Sequence, residues 1–115
     1  MVEIEIKKSN SNQIERITMR GHADYDVHGQ DIVCAGASAV VFGSTNALFE
    51  LTEGKVSVEQ DPNGGYFKID ILEFDERAEL ILNSMIISLQ TIEESYQEYI
   101  KLSYKWGGLK CLNYN

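Results

Sequence analysis

Between Asp31 and Glu50 the chain carries no charged side chain, an unbroken run from Ile32 to Phe49. A run of that length and apolarity is most stable out of water, either across a bilayer or against the rest of the chain. Gly36, Ser38, Gly43, Ser44, Thr45 and Asn46 make it too polar for a bilayer. The reading is therefore a helix buried in a protein core, with no transmembrane segment. Asp31 supplies a start signal, since an N-cap carboxylate accepts from amides such as those of Val33 or Cys34. The helix is expected to run to about Thr52 and to end at Gly54. Its content of Ala, Gly and Ser lets its backbone approach neighbours closely.

The elements around it follow from periodicity. Val2, Ile4 and Ile6 alternate with Glu3, Glu5 and Lys7, the period of a half-buried strand. After the turn residues Ser9 to Asn12, a second run from Ile14 to Met19 alternates imperfectly, with Ile14 out of register with Ile17 and Met19. The two still read as a hairpin. Gly21 to Gln30 is a loop, Lys55 to Gln60 a third strand, and Tyr66 to Leu72 a fourth beyond the turn Asp61-Pro62-Asn63-Gly64-Gly65. Asp75 caps a second helix from Glu76 to about Lys101, with Ala78, Leu82, Met85, Leu89, Ile92, Tyr96 and Tyr99 on one face. Leu80, Ile81, Ile86 and Ile87 widen that face, which fits either a homodimer contact or a broad contact with the sheet. The fold expected is α+β, two helices packed on a largely antiparallel sheet in the order β-β-α-β-β-α, and a short strand can follow Leu102.

A chain of 115 residues is one domain, and 43% hydrophobic with 24% charged residues describes an ordinary globular protein. The net charge of −8 excludes nucleic acid as a primary partner and suits a basic one. The opening Met1-Val2-Glu3-Ile4-Glu5-Ile6 has no signal-peptide pattern, so a reducing, cytoplasmic location with Cys34 and Cys111 as free thiols is expected. Two histidines and two separated cysteines offer no ligand pair at a recognised short spacing, so neither metal nor cofactor is expected.

The chemistry concentrates in Gly21-His22, a short acidic loop, and Asp31-Ile32-Val33-Cys34-Ala35-Gly36-Ala37-Ser38. A cysteine in the first turn of a helix benefits from the positive helix end, which favours the nucleophilic thiolate. An imidazole within reach takes the thiol proton and returns it to a leaving group. Spacing alone does not choose between His22 and His28, and a packed, inert cysteine fits the same residues. Asp31 can cap the helix or orient a histidine ring. Ser38, one turn after Cys34, can bond back to the Cys34 carbonyl or reach a substrate. Gly21 permits a positive φ or a close backbone approach.

The run GHADYDVHGQDIVCAGAS resembles the signature of the ribosomal-processing cysteine protease family Prp. The resemblance continues through Phe42-Gly43-Ser44-Thr45-Asn46-Ala47, the Asn63-Gly64-Gly65 turn and Ser88 to Glu94, as far as Lys105. It implies a cysteine endopeptidase that removes the N-terminal extension of large-subunit ribosomal protein twenty-seven of the L series. It assigns Cys34 as nucleophile and His22, directly after the glycine, as general base and acid, with Asp31, Ser38 and Gly21 in support. It implies an apolar pocket near Cys34, since the family's cleaved extensions end in aromatic residues. Backbone amides around Val33 to Ala35 are the candidate oxyanion donors, and the Ala23 to Gln30 loop the element that closes over a peptide. Residues 1–105 form the protease domain and 106–115 a tail of unknown role. The partner implied is the basic ribosomal-protein precursor, with no direct nucleic-acid or membrane binding and a homodimer expected. The competing readings are a cysteine hydrolase of small amides or esters, and a non-enzymatic ribosome-assembly or interaction module.

Overall fold

The computed structural model describes residues 1–21 and 28–107, and of residues 28–31 the backbone only. Five strands, β1 (Val2–Lys8), β2 (Ile14–Arg20), β3 (Val56–Gln60), β4 (Tyr66–Ile71) and β5 (Ile100–Trp106), form one sheet in the order β3-β4-β2-β1-β5. Two helices, α1 (His28–Leu51) and α2 (Glu76–Ser95), complete the order β-β-α-β-β-α-β. The α+β architecture is the expected one. The sheet is largely antiparallel, as expected, with one parallel pair: β5 runs parallel to β1 from Val2↔Ile100 to Lys8↔Trp106.

The imperfect alternation in β2 has a physical cause. Lys7 pairs with Arg16 but Lys8 pairs with Ile14, so the register shifts by one residue at a β-bulge. The extra residue puts Glu15 and Arg16 side by side on the exposed side and returns Ile14 to the buried face with Ile17 and Met19. The amide of Ile14 donates to the Glu79 carboxylate of α2 at 3.2 Å.

Both helices cover one face of the sheet, and the core lies between the layers. Val33, Ala37, Val41 and Leu48 of α1 are buried there with Ala78, Leu82, Met85, Ile86 and Leu89 of α2. A Cβ on Gly36 would stand 3.7 Å from the Ile92 side chain, the close helix approach its small residues allow. The helix is a core helix, as expected, but it buries one side only: Ile32 and Phe49 are 45% and 50% exposed. α1 is nonetheless long and apolar enough to cross a membrane by length and composition alone.

Two element ends differ from expectation. α1 begins three residues before Asp31, which is therefore inside the first turn and not its cap. α2 ends at Ser95, not near Lys101: the Tyr96 amide still bonds Ile92 O, but Tyr96 has left helical geometry with φ −135° and ψ 48°. Its Asp75 cap is present, accepting from the Arg77 amide at 3.1 Å. Trp106, assigned to the tail, is the last residue of β5, beside Lys8, whose ammonium stands 5.7 Å from its ring centroid.

The other face of the sheet carries cross-strand charge pairs instead of a second helical layer. Arg16 bonds Asp70 at 2.6 Å, Lys68 reaches Glu59 at 3.0 Å and Asp70 at 3.5 Å, and Lys105 reaches Glu5 at 3.3 Å. Burial pushes the Asp70 carboxyl up, but the Arg16 and Lys68 charges outweigh that and hold it below the ordinary carboxylate range. A depressed carboxyl contributes stability that is present above its unfolded value of about 3.9 and lost as pH falls through the folded value. Asp70→Asn is therefore expected to lower stability at pH 7 by roughly 1 kcal/mol. Thermal melts at a series of pH values should show this difference shrinking as the pH is taken below about 4.

Candidate active site

Cys34, Ser38 and Phe42 recur at four-residue steps along α1 and line one cavity. Opposite them stand the start of β1, the end of β2 and the β3–β4 hairpin, through Val2, Met19, Gln60, Gly65, Tyr66 and Phe67. The volume is about 190 Å³, larger than the roughly 150 Å³ apolar cavity that accepts a benzene ring. Its floor is an edge-to-face pair, Phe42 against Phe67 at 5.4 Å and 87°. Arg20 lies over the Tyr66 ring at 4.9 Å. Cys34 is a free thiol, half-buried against the core and turned to this cavity.

Gly21 is held where β2 ends. Its φ is +93°, and a Cβ there would collide with the Met1 carbonyl oxygen. Its amide donates to Gly65 O at 3.0 Å, tying it to a hairpin turn in which Gly64 and Gly65 also have positive φ. The position that precedes His22 is thus fixed by three segments at once. His22 itself lies outside the described residues, as do loop residues 23–27, Cys111 and the rest of the tail from residue 108.

The earlier helix start changes two expectations. Cys34 is the seventh residue of α1 and not in its first turn, so the helix-end contribution to the thiolate, which fades within one turn, is small. The amides of Val33 to Ala35 lie in the helix interior, committed to carbonyls four residues earlier, and are not free oxyanion donors. Asp31 precedes Cys34 by one turn, and the register puts their Cα atoms on the same side of α1. Ser38 shares the cavity with Cys34. Thr45, Thr52 and Thr91 bond back to the carbonyl four residues earlier, whereas among the described residues Ser38 does not. Its hydroxyl is left for another partner.

The hairpin side of the cavity was not legible as part of the site. Gln60, Tyr66 and Phe67 come to Cys34 through pairing distant in sequence, and the neighbouring Asn63-Gly64-Gly65 turn entered the sequence reading only as a turn and as part of the family resemblance. Among the described residues, no group of three His, Cys, Asp or Glu side chains could hold a metal ion.

A family model described as cysteine protease Prp matches residues 1–101. The chain is 46% identical to a ribosomal processing cysteine protease Prp of Staphylococcus aureus, over 91% of this chain and 100% of that one. It is 36% identical to the protein of that name from Bacillus subtilis, over 90% and 96% respectively. A crystal structure of an essential ribosomal processing protease Prp from S. aureus with a covalently linked product peptide superposes with a TM-score of 0.85, at 46% identity, over 91% of this chain and 100% of that one.

Proposed function

This chain belongs to the cysteine protease Prp family, and on that premise we propose that it removes the N-terminal extension of large-subunit ribosomal protein twenty-seven of the L series through a Cys34–His22 dyad. His22 takes the Cys34 proton, and the thiolate attacks the scissile carbonyl carbon. As the tetrahedral intermediate collapses, the C–N bond breaks, His22 returns the proton to the leaving amine, and a thioester remains. His22 then takes a proton from water, hydroxide adds to the thioester, and the tetrahedral intermediate collapses, breaking the C–S bond as Cys34 leaves and recovers its proton from His22. The observation that carries this reading is the cavity itself: an apolar space of aromatic size with the thiol in its wall. Such a space fits a peptide cut after an aromatic residue.

Incubating the protein with the full-length precursor and reading the new N-terminus by mass spectrometry tests the reading, with Cys34→Ser as control. Failure to cut, combined with turnover of a simple activated amide, would favour a small-substrate hydrolase. Failure with both would favour an assembly or interaction module. The net charge of −8 supports a basic partner, and the reading carries a cytoplasmic location, where ribosomes are assembled.

Asp31 is assigned the orientation of His22, because the earlier helix start removes the capping role. Asn is close to Asp in size but lacks the charge. Asp31→Asn is therefore expected to lower kcat by about tenfold or more while moving the melting temperature little; equal losses in both would return Asp31 to a structural role. A homodimer is also part of this reading. Of the four residues that widened the α2 face, Ile86 is buried and Ile81 half-buried, but Leu80 and Ile87 are 72% and 62% exposed two turns apart. Leu80→Glu with Ile87→Glu is expected to shift the sedimentation coefficient from dimer to monomer without unfolding the chain.

A further inference from the structure

The two edges of the sheet are finished differently. On β5 the outward amide of Leu102 donates to the Glu93 carboxylate of α2 at 2.8 Å, and Gln90 reaches the Tyr104 hydroxyl at 2.7 Å. Helix α2 thus occupies that edge. Nothing among the described residues does the same for β3.

The register shows which groups β3 leaves over. Leu72 N bonds Lys55 O at 3.0 Å and Asp61 N bonds Tyr66 O at 3.1 Å, bracketing the strand. In an antiparallel pair the bonded residues alternate, so Ser57 and Glu59 turn their main chains toward β4. Val56, Val58 and Gln60 turn theirs away from the sheet. The Val56 amide is taken by Gly54 O at 2.7 Å, while the outward N–H and C=O groups of Val58 and Gln60 have no partner among the described residues. The side chains of both residues face the helices, opposite Ile69 and Phe67, and Gln60 lines the Cys34 cavity. A row of free main-chain donors and acceptors therefore leads into the wall of the pocket that holds the thiol. An open edge is a liability for aggregation unless it is blunted or used.

We propose that a substrate peptide adds to β3 as a sixth strand, hydrogen-bonded to the main chains of Val58 and Gln60, and so delivers one side chain into the Cys34 cavity. The proposal rests on the protease reading above. Strand addition draws affinity from main-chain bonds common to all sequences, and leaves selection to the pocket that receives alternate side chains. It admits only a segment free to extend, as an unfolded N-terminal tail is, and rejects the same residues inside a helix. It also fixes the scissile carbonyl by register, one residue at a time.

The test is binding, measured apart from cleavage. The Cys34→Ala protein is titrated with a fluorescent peptide spanning the extension and junction of the ribosomal precursor, and with versions N-methylated at one residue each. Methylation removes one amide donor and should weaken Kd about tenfold (1.4 kcal/mol) at every second position along the bound stretch, and little between. Val58→Pro removes only an outward donor, leaves the β4 ladder intact, and should weaken binding by a similar factor without changing the melting temperature. A flat methylation profile, absence of binding, or a Val58→Pro protein that binds as the parent does overturns the proposal. A period-two profile in a protein whose parent does not cut the peptide supports the strand addition and counts against the protease reading alone.

Discussion

Replacing Cys34 by alanine is expected to abolish precursor cleavage, by at least about a thousandfold, because no other described residue lining the cavity carries a thiol to form the thioester. The side chain is half-buried and small, so stability should fall by no more than about 1 kcal/mol. Binding of the precursor should survive, since the apolar walls come from Val2, Met19, Phe42 and Phe67. Turnover measured beside a melting curve and a binding isotherm checks all three. Appreciable cleavage by pure Cys34→Ala would sink the nucleophile assignment.

His22→Ala is expected to lower kcat by about 10²–10⁴, the range for loss of a positioned general acid and base, whereas His28→Ala should change it by less than about threefold. The structure adds a reason for the contrast. His28 is the first residue of α1, and a six-residue step to Cys34 places the two Cα atoms on different sides of the helix. His22 instead follows Gly21, which is pinned at the cavity by its bond to Gly65. Single-turnover kinetics of both variants decide the matter, and the opposite ranking would transfer the role to His28.

Local patterns carried most of the fold. Val2, Ile4 and Ile6 announced β1 because their alternation is a property of neighbours in sequence, and so did Asp75 for the start of α2. The end of α2 was misread because Tyr96 and Tyr99 happen to prolong the helical stripe, with no Gly or Pro to interrupt it. The same residues lead into Ile100, Leu102, Tyr104 and Trp106 alternating with Lys101, Ser103 and Lys105, a strand pattern whose first part the helix reading had absorbed. The start of α1 was misplaced because Asp31 is as favourable in a first turn as at a cap. Cys34 and Ser38 were legible as a pair since a helix fixes their spacing. The hairpin wall of Gln60, Tyr66 and Phe67 was not, because only long-range register brings it to the thiol.

The parallel pairing of β1 with β5 sets a timetable for biosynthesis. β1 lies between β2 and β5, so its second row of main-chain groups waits for residues 100–106, almost a whole chain length away. Joining segments so far apart carries a loop-closure cost that local hairpins avoid, and slows folding accordingly. A ribosome delivers β5 only after the other four described strands and both helices have been made. Until then the growing polypeptide holds β1 with one side unpaired, and the Val2 amide lacks the Tyr99 carbonyl that anchors it 2.8 Å away beside the cavity. The nascent chain therefore completes the pairing of β1 only once residues 100–106 have left the ribosome.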